Sequence, residues 1–182
     1  AVKENGEEKG VYNLEESFDK LLLENNKRKE GPILKFDESI LINPMKINSQ
    51  STYSEEDIFL MARIDVFKSK KTLKSSTLKV FYNRGKLLLE NLRSQKIPLS
   101  SAIDVDKAAK LFAIADITYG IHALRWKNIR FYFNPILGKL ELIGYDSNCG
   151  AQLPDIHYNL WLNKTPGVYG GVYRWKDVFF KD

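Results

Sequence analysis

The strongest local pattern in this sequence is a pair of strand-like segments joined by a turn. Residues 128–133 and 139–145 are rich in aromatic and branched apolar side chains, and residues 134–138 between them have the Asn, Pro and Gly composition of a turn. The pattern predicts an antiparallel β-hairpin. Antiparallel pairing around that turn brings Asn128 and Asp146 out together at the open end of the hairpin.

Two segments upstream of this hairpin have the apolar spacing of amphipathic helices. Residues 76–94 carry apolar side chains three to four positions apart, and Pro98 lies beyond their end. Asp104 is placed to cap a second helix that runs to about Ile117. The buried stripe of this second helix is predicted to consist of Val105, Ala108, Leu111, Phe112 and Ala115. Downstream of the hairpin, a further strand is expected over 169–175.

The first third of the chain gives weaker signals. Residues 1–9 are acidic and lack apolar periodicity, which predicts a flexible end or loop, with a short strand over 10–16. A capped helix is expected over 17–29 and a strand over 33–36. Residues 58–67 fit both a helix and a strand, and the alternation favours a strand at their distal end.

Composition bounds the fold class. The chain has 182 residues and a hydrophobic content of 43%, so it is long enough to bury a core without a disulfide or a metal. We expect a mixed α+β fold, in which residues 1–182 form a single domain or a fragment of one. Because the chain does not begin with Met, its first residue is expected to be internal to a longer protein. Its apolar runs are too short to cross a bilayer, and the lone Cys149 excludes an internal disulfide.

The charge distribution favours acidic partners only weakly. The net charge of +5 arises from 28 basic and 23 acidic residues that are spread along the chain. The densest basic segment, residues 68–79, mixes lysines with serines and threonines. We interpret it as a solvated loop leading into a helix rather than a nucleic-acid patch, because no recognised nucleic-acid motif accompanies it.

The side chains of Asn128 and Asp146 suit a hard divalent cation, which takes oxygen ligands. The structural alternative is that both residues cap strand ends, since Asn and Asp are common beside turns. A zinc site made of His122, Asp146, Cys149 and His157 is a weaker alternative, because the spacing matches no familiar ligand pattern. The pair alone therefore leaves the kind of site open.

Several motifs in the same order resemble the CotH family of spore-coat and envelope atypical protein kinases. The resemblance covers about residues 10–150. It rests on Gly10-Val11-Tyr12 followed by Glu16, on Asp19-Lys20, Lys35, the helix end at Asp116, His122, the run 128–135, Gly138-Lys139 and Gly144-Tyr145-Asp146.

This resemblance implies a two-lobed, kinase-like fold in which the hairpin carries a metal site. It also implies that the protein binds ATP with Mg or Mn and transfers phosphate to protein hydroxyls. In that scheme Lys35 steadies the nucleotide phosphates with Glu16 as its ion-pair partner, while Asn128 and Asp146 hold the metal. The structural alternatives are a charge on a strand edge for Lys35 and a favoured first-turn residue of a helix for Glu16.

The chain departs from the family pattern at the expected catalytic base. The family has an aspartate shortly before its metal-binding asparagine, whereas residues 122–127 here contain no carboxylate. His122 is the candidate replacement because an imidazole titrates near neutral pH, and Asp116 is the nearest upstream carboxylate. A second aspartate expected just after Asp146 is also missing. Any phosphate-covering loop of the family would precede this chain.

Three functions remain open at this point. The first is a CotH-like kinase domain that acts on protein hydroxyls. The second is a catalytically inactive CotH-like interaction module of a bacterial surface or coat assembly, for which the resemblance implies a location in the envelope, in a coat or outside the cell. The third is a carbohydrate or nucleic-acid binder, which aromatic side chains and basic residues could support.

Overall fold

Two antiparallel sheets and the helices around them make up the described part of this computed structural model, residues 2–10, 15–39, 55–118, 120–147 and 149. None of the helices in this part is long and apolar enough to span a membrane. The strands are β1 (Val2–Glu4), β2 (Glu7–Gly10), β3 (Ile33–Phe36), β4 (Ile64–Val66), β5 (Arg130–Asn134) and β6 (Lys139–Ile143). The helices are α1 (Lys20–Asn25), α2 (Glu55–Met61), α3 (Ser69–Lys74), α4 (Ser76–Arg93), α5 (Leu99–Ala102), α6 (Val105–Ile117) and a 3-10 helix (Ile121–Leu124).

The larger sheet has four antiparallel strands in the order β4-β3-β5-β6. β5 and β6 pair along their whole length, from Arg130 opposite Ile143 to Asn134 opposite Lys139. The predicted hairpin and the mixed α+β class are therefore confirmed. The separate sheet is formed by β1 and β2 alone.

β5 lies at the centre of the core, and all five of its residues are buried. Because side chains alternate along a strand, Phe131 and Phe133 enter the main cluster while Tyr132 enters a smaller one on the opposite face. Helix α4 packs closely against the sheet at Gly85, where an added Cβ would lie 3.1 Å from Leu34. A larger residue at this position would require the Leu34 side chain to shift.

Helices α4 and α6 and strand β3 agree with the sequence predictions, whereas α5 and the 3-10 helix were not predicted. The predicted helix over 76–94 is α4, and the predicted strand over 33–36 is β3. The carboxylate of Asp104 caps α6 by accepting a hydrogen bond from the Lys107 amide at 3.2 Å. The predicted buried stripe is right at Ala108, Phe112 and Ala115. It is wrong at Val105, which is 42% exposed, and Leu111 is only partly buried.

The prediction of a loop over residues 1–9 is wrong for residues 2–9. Together with Gly10 they form the β1–β2 hairpin, whose turn contains Asn5 and Gly6, both with positive φ angles. Asn-Gly is a strong signal for a two-residue hairpin turn. The acidic composition obscured this signal, because the hairpin is exposed on both faces and shows no apolar alternation.

Other boundaries also differ from the predictions. The first helix begins at Lys20 and is capped by Asp19 rather than by Ser17, because the Asp19 carboxylate accepts from the Leu21 amide at 2.9 Å. The ambiguous segment 58–67 divides into the end of α2 and the strand β4. Residues 68–79 are largely helical, as α3 and the start of α4, and not a loop. The strand predicted over 169–175 and most of the one predicted over 10–16 lie outside the described residues.

The carboxylate of Glu141, on β6, joins three parts of the fold. It is 5% exposed and accepts hydrogen bonds from Arg28 Nε at 2.9 Å, from Lys107 Nζ at 2.6 Å and from Asn134 Nδ2 at 2.6 Å. Arg28 follows α1, Lys107 is on α6 and Asn134 ends β5. Burial alone would raise the pKa of Glu141, but the hydrogen bonds from Lys107, Asn134 and Arg28 together outweigh it and lower the pKa.

Replacement of this carboxylate should destabilise the fold. We expect Glu141→Gln to reduce the free energy of unfolding by about 3 kcal/mol, because Arg28 and Lys107 lose their shared anion in a buried position. Urea unfolding at neutral pH measures this change. Glu24→Gln is the matched control, since Glu24 pairs with Lys20 on an exposed helix surface, and it should change stability by less than about 0.5 kcal/mol.

The same network predicts that the stability of the protein falls at acidic pH. A carboxylate whose pKa is lowered by folding stabilises the protein above its unfolded pKa, and that contribution disappears as the pH falls through the lower folded value. Stability that depends on Glu141 should therefore be present above about pH 4.5, the ordinary pKa of the group, and be lost below it. The Gln variant should show a smaller loss of stability between neutral and acidic pH. An identical acid profile in both proteins would contradict this role.

Candidate functional site

The open end of the β5–β6 hairpin brings Asn128 and Asp146 to the 3-10 helix. Asn128 lies in the turn before β5, and Asp146 follows the end of β6. Between them Gly144 allows close packing, because an added Cβ there would lie 3.2 Å from Ala123 and 3.2 Å from Leu111. The backbone that leads to Asp146 is thus held against the helix that carries His122.

The imidazole of His122 contacts both predicted metal ligands. Its Nδ1 atom lies 3.0 Å from Asn128 Nδ2, 2.7 Å from the Asp146 carbonyl oxygen and 3.1 Å from Asp146 Oδ2. The Asn128 amide also donates to the His122 carbonyl oxygen at 2.9 Å. The two side chains predicted to lie side by side therefore meet the same histidine.

The tautomer of His122 decides which neighbour it binds. An unprotonated Nδ1 accepts from Asn128 Nδ2, whereas a protonated Nδ1 donates to the Asp146 oxygens. The Nδ1-protonated tautomer leaves Nε2 as the ring nitrogen with a lone pair. That arrangement resembles the use of a carboxylate to orient an imidazole base.

Asp146 has a left-handed backbone conformation, with a φ of 54°. This region is unfavourable for most residues but is tolerated by Asp and Asn. The conformation lets both the carbonyl and the carboxylate of Asp146 approach the same ring nitrogen. The carboxylate itself is accessible, since its side chain is 54% exposed.

The oxygen chemistry of the site fits a hard divalent cation. Within the described residues, neither Oδ1 of Asn128 nor Oδ1 of Asp146 forms a hydrogen bond, and both are oxygen atoms of the kind that such a cation binds. In the described residues, no group of three or more His, Cys, Asp and Glu side chains is arranged to hold a metal. For the zinc alternative, Cys149 contacts Thr118 and Ser147, and His157 lies outside the described residues.

Lys35 and Glu16 line a second feature, a cavity of about 410 Å³ beside the sheet. The Lys35 ammonium lies 5.4 Å from the centroid of the Phe67 ring, while Glu16 accepts a hydrogen bond from Asn25 Nδ2 at 2.5 Å. Among the ion pairs of the described residues, none joins Lys35 to Glu16. The two residues share one cavity but not the expected contact.

Asp116, the alternative candidate base, is not part of the His122 network. It lies in the last turn of α6, and its Oδ1 atom is buried without a hydrogen-bond partner in the described part of the chain. The hydrogen bonds of His122 run to Asn128 and Asp146 instead. The geometry therefore favours His122 over Asp116 as the residue next to the oxygen pair.

Two residues of the cavity had no assigned role in the sequence analysis. Arg130 and Tyr145 line it together with Lys35, and the Arg130 guanidinium lies 5.0 Å from the centroid of the Tyr145 ring. The signal was present in the sequence, since Arg130 begins a strand of three aromatic residues and arginine is almost never fully buried unless it is paired. Because Tyr145 precedes Asp146, the cavity and the hairpin end adjoin each other.

Comparison with known proteins gave no match to a family model, to a curated protein or to a solved structure. The function of the site is therefore argued from its residues and their geometry. Two adjoining features carry that argument: the oxygen pair around His122 and the cavity that contains Lys35 and Arg130.

Removal of the Asn128 amide should destabilise the open end of the hairpin. Asn128 is 7% exposed, so Asn128→Ala leaves the His122 carbonyl without its donor in a buried position, and we expect a loss of about 1–3 kcal/mol in unfolding free energy. Chemical denaturation measures the loss. Asn26→Ala is the control, because Asn26 makes the same kind of bond to the Leu22 carbonyl in an exposed position. Equal effects of the two substitutions would contradict the argument.

Proposed function

We propose that this chain is a CotH-like atypical kinase domain, which binds ATP with a divalent metal and transfers phosphate to protein hydroxyls. The observation that carries the proposal is the adjacency of the two features described above. Tyr145 lines the cavity that contains Lys35, and the next residue, Asp146, belongs to the oxygen pair around His122. A nucleotide that places its phosphates at Lys35 would thus have oxygen ligands for its metal close by.

The size and lining of the cavity support a nucleotide as the ligand. A volume of about 410 Å³ is within the usual range of small-molecule sites. Its walls combine the rings of Phe18, Phe67 and Tyr145 with the cationic groups of Lys35 and Arg130. Aromatic faces suit a base, and lysine and arginine suit phosphate.

The proposed roles of the remaining residues follow from their contacts. Asn128 and Asp146 would hold a Mg or Mn ion through their oxygen atoms, and such an ion supplies charge neutralisation at the phosphates. His122, oriented through Nδ1 by Asp146, would accept the proton of the substrate hydroxyl at Nε2. The negative charge of Glu16 would attract the Lys35 ammonium across the cavity, without the direct ion pair that the resemblance implies. The two-lobed kinase arrangement and an envelope or coat location belong to the same proposal.

A specific observation favours a second candidate, an inactive interaction module that retains the scaffold. No carboxylate occupies residues 122–127, and one oxygen of Asp146 already contacts His122. A domain of this kind would bind a nucleotide or a protein partner without turnover. Binding of a nucleotide without phosphate incorporation would therefore support it over the kinase.

Thermal stabilisation of the full chain tests nucleotide binding. With ATP and Mn or Mg at about 100 times the dissociation constant, we expect a gain of about 2.7 kcal/mol and a rise in melting temperature of roughly 5–10 °C. Asp146→Asn should remove the dependence on metal, since it keeps the backbone preference and deletes the charge. Lys35→Ala should weaken binding, whereas the exposed Lys70→Ala is the matched control. A folded protein with no stabilisation and no phosphate incorporation would disprove the proposal.

The role of His122 is tested by separating binding from turnover. We expect His122→Asn to lower phosphate transfer by about 10²–10⁴-fold while nucleotide binding stays near that of the wild type, because the Asn amide can keep the contacts of Nδ1 whereas the proton acceptor at Nε2 is lost. Radiolabelled phosphate incorporation and the melting shift measure the two properties in parallel. Unchanged transfer by the variant would exclude His122 as the base.

A further inference from the structure

Arg130 is a buried cation at the wall of the cavity. The residue is 6% exposed and belongs to β5, the central strand of the core. Its guanidinium carbon lies 5.6 Å from the ring centroid of Phe18, 5.6 Å from that of Phe67 and 5.0 Å from that of Tyr145. Three aromatic faces therefore hold the planar group in one position.

The hydrogen bonds of this guanidinium use one of its edges only. Nη1 donates to the carbonyl oxygens of Lys127 at 2.5 Å and of Ile129 at 3.3 Å. Nε is buried and has no hydrogen-bond partner, and Nη2 donates to no described residue. The Nε–Nη2 edge is the one with which arginine forms paired hydrogen bonds to phosphate and carboxylate groups.

No carboxylate of the described residues forms an ion pair with Arg130. Burial lowers the pKa of the guanidinium, and the more distant charge of Glu38 opposes this effect only in part. An arginine keeps its charge in proteins even so. A buried charge without a paired anion is costly, and a bound anion would reduce that cost.

The other charges of the cavity do not supply the missing anion. Glu15 accepts from the Tyr145 hydroxyl at 3.3 Å, Glu16 accepts from an asparagine amide, and Lys68 pairs with Asp19 at 3.7 Å. Lys35 contacts the same Phe67 ring as Arg130. The two like charges thus approach one aromatic ring, and an anion bound by both would offset their charge.

We propose that this cavity binds a diphosphate or triphosphate group through Arg130 and Lys35, that Arg130 is the principal contact, and that binding requires no metal. Arg130 and Lys35 both line the cavity, and a diphosphate or triphosphate group offers oxygen atoms to each of them. Identification of this anion as part of a nucleotide rests on the function proposed above. Anion binding itself rests only on the contacts of Arg130 and Lys35.

Calorimetric titration of the full chain with pyrophosphate in the presence of EDTA tests this inference. We expect saturable binding that weakens about tenfold or more in Arg130→Lys, which keeps the charge but loses the fork of donors. The exposed Arg84→Lys should bind as the wild type does. Unchanged affinity in a folded Arg130→Lys protein, or the absence of pyrophosphate binding to the wild type, would overturn the inference.

Two further variants keep the result interpretable. If Arg130→Lys does not fold, Lys35→Met replaces it, with the same expected loss of about tenfold or more; affinity equal to that of the wild type would then reject the inference. Lys70→Ala should leave pyrophosphate binding in EDTA intact, because the exposed Lys70 does not line the cavity. A loss of pyrophosphate binding in Lys70→Ala would also count against the inference. Retained pyrophosphate binding without metal-dependent ATP binding would leave this inference standing and remove the kinase proposal.

Discussion

The ion-paired carboxylate of Glu141 is the interaction on which the arrangement of the described fold depends. It binds Arg28 beside α1, Lys107 of α6 and Asn134 at the end of β5. These contacts fix the hairpin register against the helices, and a shift by one residue would turn every side chain of β5 to the wrong face. Phe131 and Phe133 would then leave the main core. The position of both ends of the hairpin, including the site, follows from this register.

The site depends on that register in a direct way. Arg130 pairs with Ile143 at the open end, so Asn128 and Asp146 leave the two strands close to the same 3-10 helix. His122 of that helix contacts both residues through one ring nitrogen. Tyr145 is one residue from Asp146 and faces the cavity of Lys35 and Arg130. A short piece of backbone thus connects the proposed metal ligands with the cavity in which we propose that phosphate binds.

The sequence predicts those parts of the fold in which local signals agree with tertiary packing. The β5–β6 hairpin and helix α6 have strong periodicity and clear turn or cap residues, and both were predicted correctly. Residues 2–9 were not, because their Asn-Gly turn stands in a segment without an apolar face. The proximity of Asn128 and Asp146 followed from hairpin pairing, but the position of His122 between them depends on packing of the 3-10 helix. Arg130 was missed because periodicity does not show which face of a buried strand borders a cavity.

The backbone conformation of Asp146 limits which amino acids this position can accept. A positive φ is expensive for branched or bulky side chains and mild for Asp, Asn and Gly. Substitutions that removed the carboxylate would therefore be drawn from a very small set, whatever their effect on chemistry. In related chains, an Asn or a Gly at this position would keep the loop conformation while lacking the carboxylate. A Val or an Ile would indicate that the loop has a different backbone conformation.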